Sequence, residues 1–211
     1  MTDDALLEVL SAARARGYLG PGPLEAHLDH SRAFLAMSPE PPSRAVDLGS
    51  GGGVPGLVLA IAWPGSEWVL LDASRRRVDF LEAAIGSLGI AGRVTVRCQR
   101  AEEAGRDPGL RGQADLVVVR SFGPPAVAVE CAAPLLRLGG HVIVAEPPGG
   151  NPSRWPADGL ALLGLRVDGT ITTPWALQRL VQADHCPERY PRRTGIPAKR
   201  PLFSTAAATD G

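Results

Sequence analysis

The stretch DLGSGGGVPG, residues 47–56, decides the fold of this chain. A short apolar run, Ala45–Leu48, leads into it, and a second apolar run follows from about Pro55 to Ala62. The first run has the length of a buried strand, and the second predicts a helix. Glycines between them allow a tight turn and let a ligand come close to the backbone. A glycine-rich loop in this position is typical of α/β proteins that bind a nucleotide or nucleoside.

Downstream of this loop, the chain alternates between runs that predict buried strands and runs that predict amphipathic helices. The predicted strands are Trp68–Leu71, Val94–Arg97, Leu116–Val119 and His141–Ala145, and the predicted helices are Ser74–Leu88 and Ala126–Leu136. This order predicts an α/β fold with a doubly wound, mostly parallel sheet and helices on both faces. Two further strands, at 166–172 and 177–183, are expected as an antiparallel pair at the edge of the sheet.

Two smaller parts of the chain are expected on either side of this α/β pattern, one N-terminal and one C-terminal. Helices at 3–16 and 24–36 predict a short N-terminal helical cap, which a proline-rich linker joins to the first strand. We therefore divide the chain into a helical cap with its linker at 1–43, an α/β domain at 44–185 and a basic C-terminal segment at 186–211. The prolines of the C-terminal segment predict an extended backbone.

The charge balance excludes one class of nucleic-acid-binding protein. The 22 lysines and arginines match the 22 aspartates and glutamates, so the chain is not a uniform polycation. The charges are nevertheless unevenly distributed. The first 30 residues carry five acids against two arginines, whereas the stretch from Glu188 to Arg200 carries five cations against one acid. That basic stretch can dock on RNA phosphates although the net charge is zero.

Other classes of protein are excluded by what the sequence lacks. No run approaches the ~18–20 apolar residues that a membrane span requires, and the acidic N-terminus does not resemble a secretory signal. Cys98, Cys131 and Cys186 lie far apart and lack the CxxC spacing of a zinc site. We therefore expect a cytoplasmic protein that has no metal site and no membrane association. The oligomeric state is not indicated.

Two acids at the ends of the first two predicted strands, Asp47 and Asp72, indicate which ligand the loop binds. Asp47 suits a cationic cofactor such as a sulfonium and would not help to bind a pyrophosphate. The spacing Gly51-x-Gly53-x-x-Gly56 also matches the dinucleotide fingerprint, which keeps a nucleotide-dependent oxidoreductase as an alternative. Asp72 ends the second strand about 20 residues after the loop, where an acid accepts hydrogen bonds from the ribose of an adenosine.

Two further segments at strand ends hold candidate ligand contacts. Ala101 and Glu102 follow the third strand, close to where an adenine lies in such folds. A solvated helix start would explain this segment equally well. Arg120 comes directly off the buried fourth strand, at the edge of the sheet where ligands collect. An arginine there indicates contact with a ligand or RNA, with a structural ion pair as the alternative.

Together, these segments resemble the glucose-inhibited division protein B family of guanine-N7 methyltransferases, which act on small-subunit ribosomal RNA. The likeness rests on residues 47–56, LLDAS at 70–74, RVDFL at 77–81, RAEE at 100–103, VRSF at 119–122 and YPRRTGIPAKRPL at 190–202. The last of these runs is the most specific, because class I methyltransferases in general lack it.

The resemblance implies a class I, Rossmann-like methyltransferase whose α/β domain binds S-adenosylmethionine. With the acids argued above, the candidate cofactor contacts are Asp47, Gly49, Gly51, Gly53, Val54, Asp72, Ala101, Glu102 and Arg120. The implied RNA-facing residues are Arg192, Arg193, Lys199 and Arg200, and the implied partner is ribosomal RNA or the small subunit. Guanine N7 carries a lone pair and no proton, so we expect no general base, and Arg120 to act by positioning.

The chain departs from the family at several points. Its N-terminal helical region is shorter and more acidic, and the segment HLDHS at 27–31 matches the family's histidine-and-aspartate segment only in part. Surface positions for His27 and His30 are the alternative to a place in that segment. Glu146 stands where the family commonly has a lysine. A methyltransferase acting on a small molecule or a protein, and a non-catalytic RNA-binding paralogue, therefore remain alternatives.

Overall fold

The computed structural model describes residues 3–38 and 40–204, which form one sheet with helices around it. The strands are β1 (Arg44–Leu48), β2 (Glu67–Asp72), β3 (Val94–Cys98), β4 (Ala114–Val119), β5 (Leu136–Ala145), β6 (Leu165–Ile171) and β7 (Leu177–Gln182). The helices are α1 (Asp3–Ala15), α2 (Leu24–Met37), α3 (Gly56–Ala62), α4 (Arg75–Ser87), α5 (Ala101–Ala104), α6 (Pro125–Ala132), α7 (Ala157–Ala161) and α8 (Ile196–Lys199).

The sheet confirms the predicted doubly wound topology. Its seven strands run in the order β3-β2-β1-β4-β5-β7-β6. Strands β1 to β5 pair in parallel, whereas β7 is antiparallel to both β5 and β6. The predicted antiparallel edge pair is therefore confirmed, with β7 inserted between β5 and β6. The order reverses between β1 and β4, and ligands bind above such a point in open α/β sheets.

Each central strand contributes to a hydrophobic layer on both faces of the sheet. Ala45 and Leu116 pack toward α3 and α4, whereas Val46 and Val117 pack toward α5 and α6. Successive residues of a strand point to opposite faces, which is why these strands read as continuous apolar runs. The N-terminal cap joins the first layer through residues such as Phe34, which is fully buried.

Two predicted segments differ from the structure. The helix predicted at 126–136 ends at Ala132 and passes through a 3₁₀ turn into β5, which begins at Leu136. Pro134 lies at this change, and proline has no N–H with which to continue a helix. The C-terminal segment is not extended throughout, because Gly195 turns the chain with φ 81° into α8. These differences leave the carboxyl edge of the parallel strands as predicted.

Candidate functional site

Two adjoining cavities lie at the carboxyl ends of the parallel strands. Cavity 1 measures about 330 Å³, and its lining includes Asp72, Ala101, Glu102, Phe122, Cys131 and Ala198. Cavity 2 measures about 200 Å³, and its lining includes Tyr18, His27, Gly51, Val54 and Arg120. Gly49, Arg77 and Ser121 line both cavities. The structure thus brings most of the predicted cofactor contacts to the walls of two neighbouring cavities.

The glycine loop after β1 forms the boundary between the two cavities. The backbone N–H groups of Gly49 and Ser50 both donate to the carbonyl of Leu71, at 2.8 and 2.9 Å, which ties the loop to the end of β2. Gly49 has φ 79°, and a Cβ atom there would lie 2.7 Å from Phe122 Cδ2. A side chain at this position would therefore strain the backbone and collide with the cavity wall.

Asp47 lies beneath the loop, outside the lining of both cavities. It is 1% exposed, and its Oδ2 accepts a hydrogen bond of 3.0 Å from the N–H of Gly56, the first residue of α3. Burial raises the pKa of the Asp47 carboxyl to about 7, and the hydrogen bond from Gly56 opposes this shift. A Cβ at Gly56 would overlap this carboxylate. The geometry therefore gives Asp47 a structural position rather than direct contact with a ligand.

The same contact bears on the dinucleotide alternative. In that interpretation, a pyrophosphate would accept hydrogen bonds from the N-terminus of the helix after the loop. Here the Asp47 carboxylate already takes the N–H of Gly56, and a second anion placed beside it would be repelled. The structure thus disfavours the use of Gly51, Gly53 and Gly56 as a pyrophosphate site.

Asp72 lines cavity 1 from the end of β2. Its Oδ2 accepts from the N–H of Gly51 at 3.0 Å, and its Oδ1 accepts from the N–H of Ser74 at 2.8 Å. Arg77 approaches the carboxylate at 3.6 Å. The two oxygens of an ionised carboxylate have about four lone-pair sites, so Asp72 can still accept hydrogen bonds from ligand hydroxyls. This position suits a ribose.

Arg120 reaches cavity 2 from the end of β4 and contacts the N-terminal cap. Its Nη2 lies 2.6 Å from Nδ1 of His27, while its Nη1 is buried and has no hydrogen-bond partner among the residues described. Burial lowers the pKa of Arg120, and the Asp47 charge acts in the opposite direction. The guanidinium still carries its charge at neutral pH, because arginine side chains are not deprotonated in proteins.

The alternative that places these histidines on the surface is wrong for His27, and His30 is half-buried. His27 is 7% exposed, and the His30 ring stacks on Trp175 with 4.8 Å between ring centroids. Burial, together with the charges of Arg120 and His27, lowers the pKa of His30 to about 4. The helical pattern of α2 contained the signal for this, because position 27 lies one residue before buried Leu28 and on the inward side of the helix.

Glu102 makes a contact that the sequence did not indicate. Its Oε1 accepts a hydrogen bond of 2.8 Å from the N–H of Gly195, in the C-terminal segment. Ala101 is buried beside it at the start of α5. Ala198 of α8 lines cavity 1 together with Glu102. The C-terminal segment is therefore part of the wall of cavity 1, and only one oxygen of Glu102 is committed to holding it there.

The four predicted RNA-facing cations fall into two groups. Arg192 forms a bidentate pair with Glu130, at 2.8 and 2.6 Å, and the Glu130 side chain is fully buried. Its Nη2 also donates to the carbonyl of Arg200 at 2.7 Å. Arg193, Lys199 and Arg200 are exposed on the same segment. We accordingly assign Arg192 to the docking of the segment on α6, and keep the other three cations as RNA-facing candidates.

Sequence reasoning missed the wall that the N-terminal cap contributes to cavity 2. Tyr18, Leu19 and Gly20 belong to the turn between α1 and α2, yet they face the glycine loop. Glu146, which departs from the family pattern, is paired with Arg154 at 2.9 Å and lines neither cavity. That substitution leaves the site itself unchanged.

A further cavity lies away from the predicted site residues. The cavity, about 340 Å³, lies at the amino ends of β1 and β2 beside Arg44 and Glu67, and none of the predicted site residues lines it. Within residues 3–38 and 40–204, no group of three or more histidine, cysteine, aspartate or glutamate residues could hold a metal ion. No helix in this part of the chain combines the length and the hydropathy that crossing a membrane requires.

Comparison with known sequences identifies a family and close relatives. The family described as rRNA small subunit methyltransferase G matches residues 24–146. A ribosomal RNA small subunit methyltransferase G from Syntrophomonas wolfei is 39% identical over 191 residues, covering 86% of this chain and 87% of the relative. The protein of the same name from Rubrobacter xylanophilus is 36% identical over 192 residues, covering 85% and 72%.

Comparison with solved structures supports the fold. Cofactor-bound Rv0187 from MTB superimposes with a TM-score of 0.63 and 20% identity, over 87% of this chain and 91% of that one. The mitomycin 7-O-methyltransferase MmcR has a TM-score of 0.57 and 17% identity, over 74% and 54%. At such identities these structures bear on the fold alone, and they confirm the predicted class I, Rossmann-like methyltransferase fold.

Proposed function

Because this chain belongs to the rRNA small subunit methyltransferase G family, we propose that it transfers a methyl group from S-adenosylmethionine to a guanine N7 of 16S ribosomal RNA. The family match covers more than half of the chain, and relatives of that name align with most of it. The observation that supports this proposal most directly is the joined pair of cavities. Asp72 and Glu102 line one of them, Arg120 lines the other, and the glycine loop lies between them.

The residues present fit S-adenosylmethionine. Asp72 has lone pairs left for the two ribose hydroxyls. The unpartnered Nη1 of Arg120 gives the guanidinium a free donor for the carboxylate of the methionine end. Ala101 and Glu102 line the same cavity as Asp72, which supports their proposed contact with the adenine. When bound, the cofactor supplies a sulfonium-activated methyl group.

The chain contributes orientation rather than proton transfer. Guanine N7 has an in-plane lone pair and no proton to lose, so no residue has to act as a base. The groups around the site agree with this requirement, since His27 and Asp47 already hold hydrogen bonds within the protein. Arg120 and the glycine loop fix the direction from which the acceptor approaches, and such positioning accounts for large rate factors in group transfer.

The RNA is proposed to dock on the exposed cations of the C-terminal segment. Arg193, Lys199 and Arg200 are exposed, while Ala198 beside them lines cavity 1. Phosphates held by these cations would bring a strand past the mouth of the site, and the affinity would fall with salt. We propose the cytoplasm as the working compartment, where 16S rRNA is assembled and the free thiols of Cys98, Cys131 and Cys186 stay reduced.

Isothermal titration calorimetry with S-adenosylmethionine and with NAD tests the cofactor assignment. We expect saturable binding of S-adenosylmethionine and none of NAD. Saturable binding of NAD without binding of S-adenosylmethionine would overturn the proposal. Binding of S-adenosylmethionine without methyl transfer to ribosomal RNA or small subunits would favour the paralogue alternative instead.

A further inference from the structure

His27 and Arg120 join the N-terminal cap to the cofactor edge of the sheet. His27 lies on α2 and Arg120 directly follows β4, and the two are 93 residues apart in sequence. Nδ1 of His27 lies 2.6 Å from Nη2 of Arg120, and Nε2 of His27 lies 3.2 Å from the carbonyl oxygen of Gly20. Both ring nitrogens of His27 are therefore in use.

The chemistry of the two partners fixes the tautomer of His27. An arginine guanidinium has only donors, so Nδ1 has to accept the hydrogen bond from Arg120. A carbonyl oxygen only accepts, so Nε2 has to carry the proton that it donates to Gly20. The neutral Nε2–H form satisfies both contacts. Protonation of Nδ1 would place a donor against a donor and a positive charge beside the guanidinium.

The surroundings of His27 maintain this neutral form. Burial lowers the pKa of His27, and the charges of Arg120 from β4 and of Arg14 from α1 lower it further, while the Gly20 carbonyl raises it. His30 lies one turn further along α2, and its own pKa is lowered to about 4, so it adds no charge at neutral pH. At neutral pH, His27 is therefore an acceptor for Arg120.

One of the two terminal nitrogens of Arg120 lacks a hydrogen-bond partner in the part of the protein that the structure describes. Its Nη2 is held by His27, whereas its Nη1 is buried without a partner among the described residues. A buried donor that lacks an acceptor costs stability unless a ligand supplies one. Since Arg120 lines cavity 2 beside the glycine loop, a carboxylate bound there would supply it. A fixed guanidinium loses less entropy on binding than a free one.

We propose that His27 is a positioning residue that holds the Arg120 guanidinium in the orientation that binds the carboxylate of S-adenosylmethionine. The proposal rests on the proposed function, because it requires that cofactor in cavity 2. His27 acts through Arg120 and does not itself contact the cofactor. The N-terminal cap thereby becomes part of the cofactor site rather than only a packing element.

Two amide variants, each of which replaces the hydrogen bond of one ring nitrogen, separate this role from simple packing. In His27→Asn, the side-chain oxygen can take the place of Nδ1 and still accept from Arg120. In His27→Gln, the amide reaches the place of Nε2, which preserves the contact with Gly20 and loses the one with Arg120. By calorimetry we expect His27→Asn to bind S-adenosylmethionine within about 3-fold of the wild type, and His27→Gln to bind about 10-fold more weakly, a difference of about 1.4 kcal/mol.

The pH dependence supplies a second readout, which a packing role would not change. The wild-type affinity for S-adenosylmethionine should fall as the pH drops below about 6.5, the ordinary histidine pKa that burial lowers here, because His27 takes up a proton and loses Arg120. His27→Asn should lose the fall that His27 causes and keep only the contribution of Asp47, whose pKa is raised to about 7 and whose charge also acts on Arg120. The exposed His185 provides a control, and His185→Asn should retain the wild-type profile.

Each outcome decides between the alternatives. Equal affinities of folded His27→Asn and His27→Gln, with folding verified by circular dichroism, would overturn the positioning role. If neither variant folds, the wild-type profile decides, and an affinity for S-adenosylmethionine that does not fall as the pH is lowered below about 6.5 overturns the role. Failure of the wild type to bind S-adenosylmethionine at all would instead count against the proposed function.

Discussion

Glu102 Oε1 accepts a hydrogen bond of 2.8 Å from the backbone N–H of Gly195, and this contact joins the loop after β3 to the C-terminal segment. Glu102 lines cavity 1, as does Ala198 on the same segment as Gly195. The segment that carries the exposed cations is thus attached to the proposed adenosine site. We expect occupancy of the cavity and order in the C-terminal segment to depend on each other.

Glu102→Ala should loosen the C-terminal segment and weaken cofactor binding together. A hydrogen bond to a charged acceptor contributes about 1.5–3 kcal/mol. Limited proteolysis should cut the variant faster within residues 190–200, and calorimetry should show weaker binding of S-adenosylmethionine. Glu103→Ala is the matched control, because Glu103 is its exposed neighbour. Equal protease sensitivity of the two variants would contradict the role of the contact.

Asp72→Ala should weaken the binding of S-adenosylmethionine by about 1–3 kcal/mol, the usual loss when a charged hydrogen-bond partner is removed. Since Asp72 also holds the N–H groups of Gly51 and Ser74, thermal unfolding has to show that the variant remains folded. Asp79→Ala, on the exposed side of α4, should leave the affinity unchanged. An unchanged dissociation constant in Asp72→Ala would contradict its role as a ribose ligand.

Arg192→Ala and Arg193→Ala should affect different properties of the protein, the first its stability and the second its association with RNA. Arg192→Ala removes the guanidinium from the fully buried carboxylate of Glu130 and leaves it the backbone N–H of residue 192, so we expect a loss of roughly 3 kcal/mol in the free energy of unfolding. Arg193→Ala removes an exposed cation, so it should leave stability unchanged, weaken RNA association and reduce its salt dependence.

Urea denaturation and RNA binding at several salt concentrations measure these two effects. Lys199→Ala should resemble Arg193→Ala, because both side chains are exposed on the same segment. If Arg192→Ala were as stable as the wild type, its assignment to the docking of the segment would be wrong. If Arg193→Ala left the salt dependence of RNA binding unchanged, the proposed RNA surface would be wrong.

Asp47→Asn should change how stability depends on pH. The pKa of Asp47 is raised to about 7 in the folded protein from its ordinary value of 3.8. Between these values the unfolded chain holds fewer protons than the folded one, so this group lowers stability as the pH rises, by up to about 1.4 kcal/mol per pH unit, and its effect is level above about 7. Asparagine can still accept from Gly56 and does not titrate.

The gain in stability from Asp47→Asn over the wild type should therefore grow from about pH 4 to about pH 7. Urea denaturation at pH 5, 6, 7 and 8 measures it, with Asp79→Asn as an exposed control. A difference that stays constant over this range would show that Asp47 is already ionised in the folded protein.

The alternation of strands and helices from β1 to β5 could be predicted from the sequence, because apolar periodicity reports burial directly. The end of α6 could not, since the apolar run around Pro134 fits a helix or a strand equally well, and pairing of β5 with β4 decides between them. The turn into α8 depends on tertiary contacts of Glu102 and Glu130, which composition does not reveal.

The candidate site, too, could be predicted from the sequence only in part. The glycine loop and Asp72 follow from local motifs, and the structure places them together as the motif requires. The contact between His27 and Arg120 spans 93 residues, and no local pattern encodes it. Arg192 looked like the other cations of its segment, and only the buried carboxylate beneath it distinguishes its role.

Methyl transfer to ribosomal RNA tests the central claim most directly. The wild-type protein is incubated with tritium-labelled S-adenosylmethionine and either 16S rRNA or small subunits that lack the modification, and the labelled base is mapped by mass spectrometry of nuclease fragments. We expect label on N7 of a guanine in 16S rRNA, in at least one of the two substrates. Absence of label in both substrates, from protein that binds S-adenosylmethionine, would contradict it.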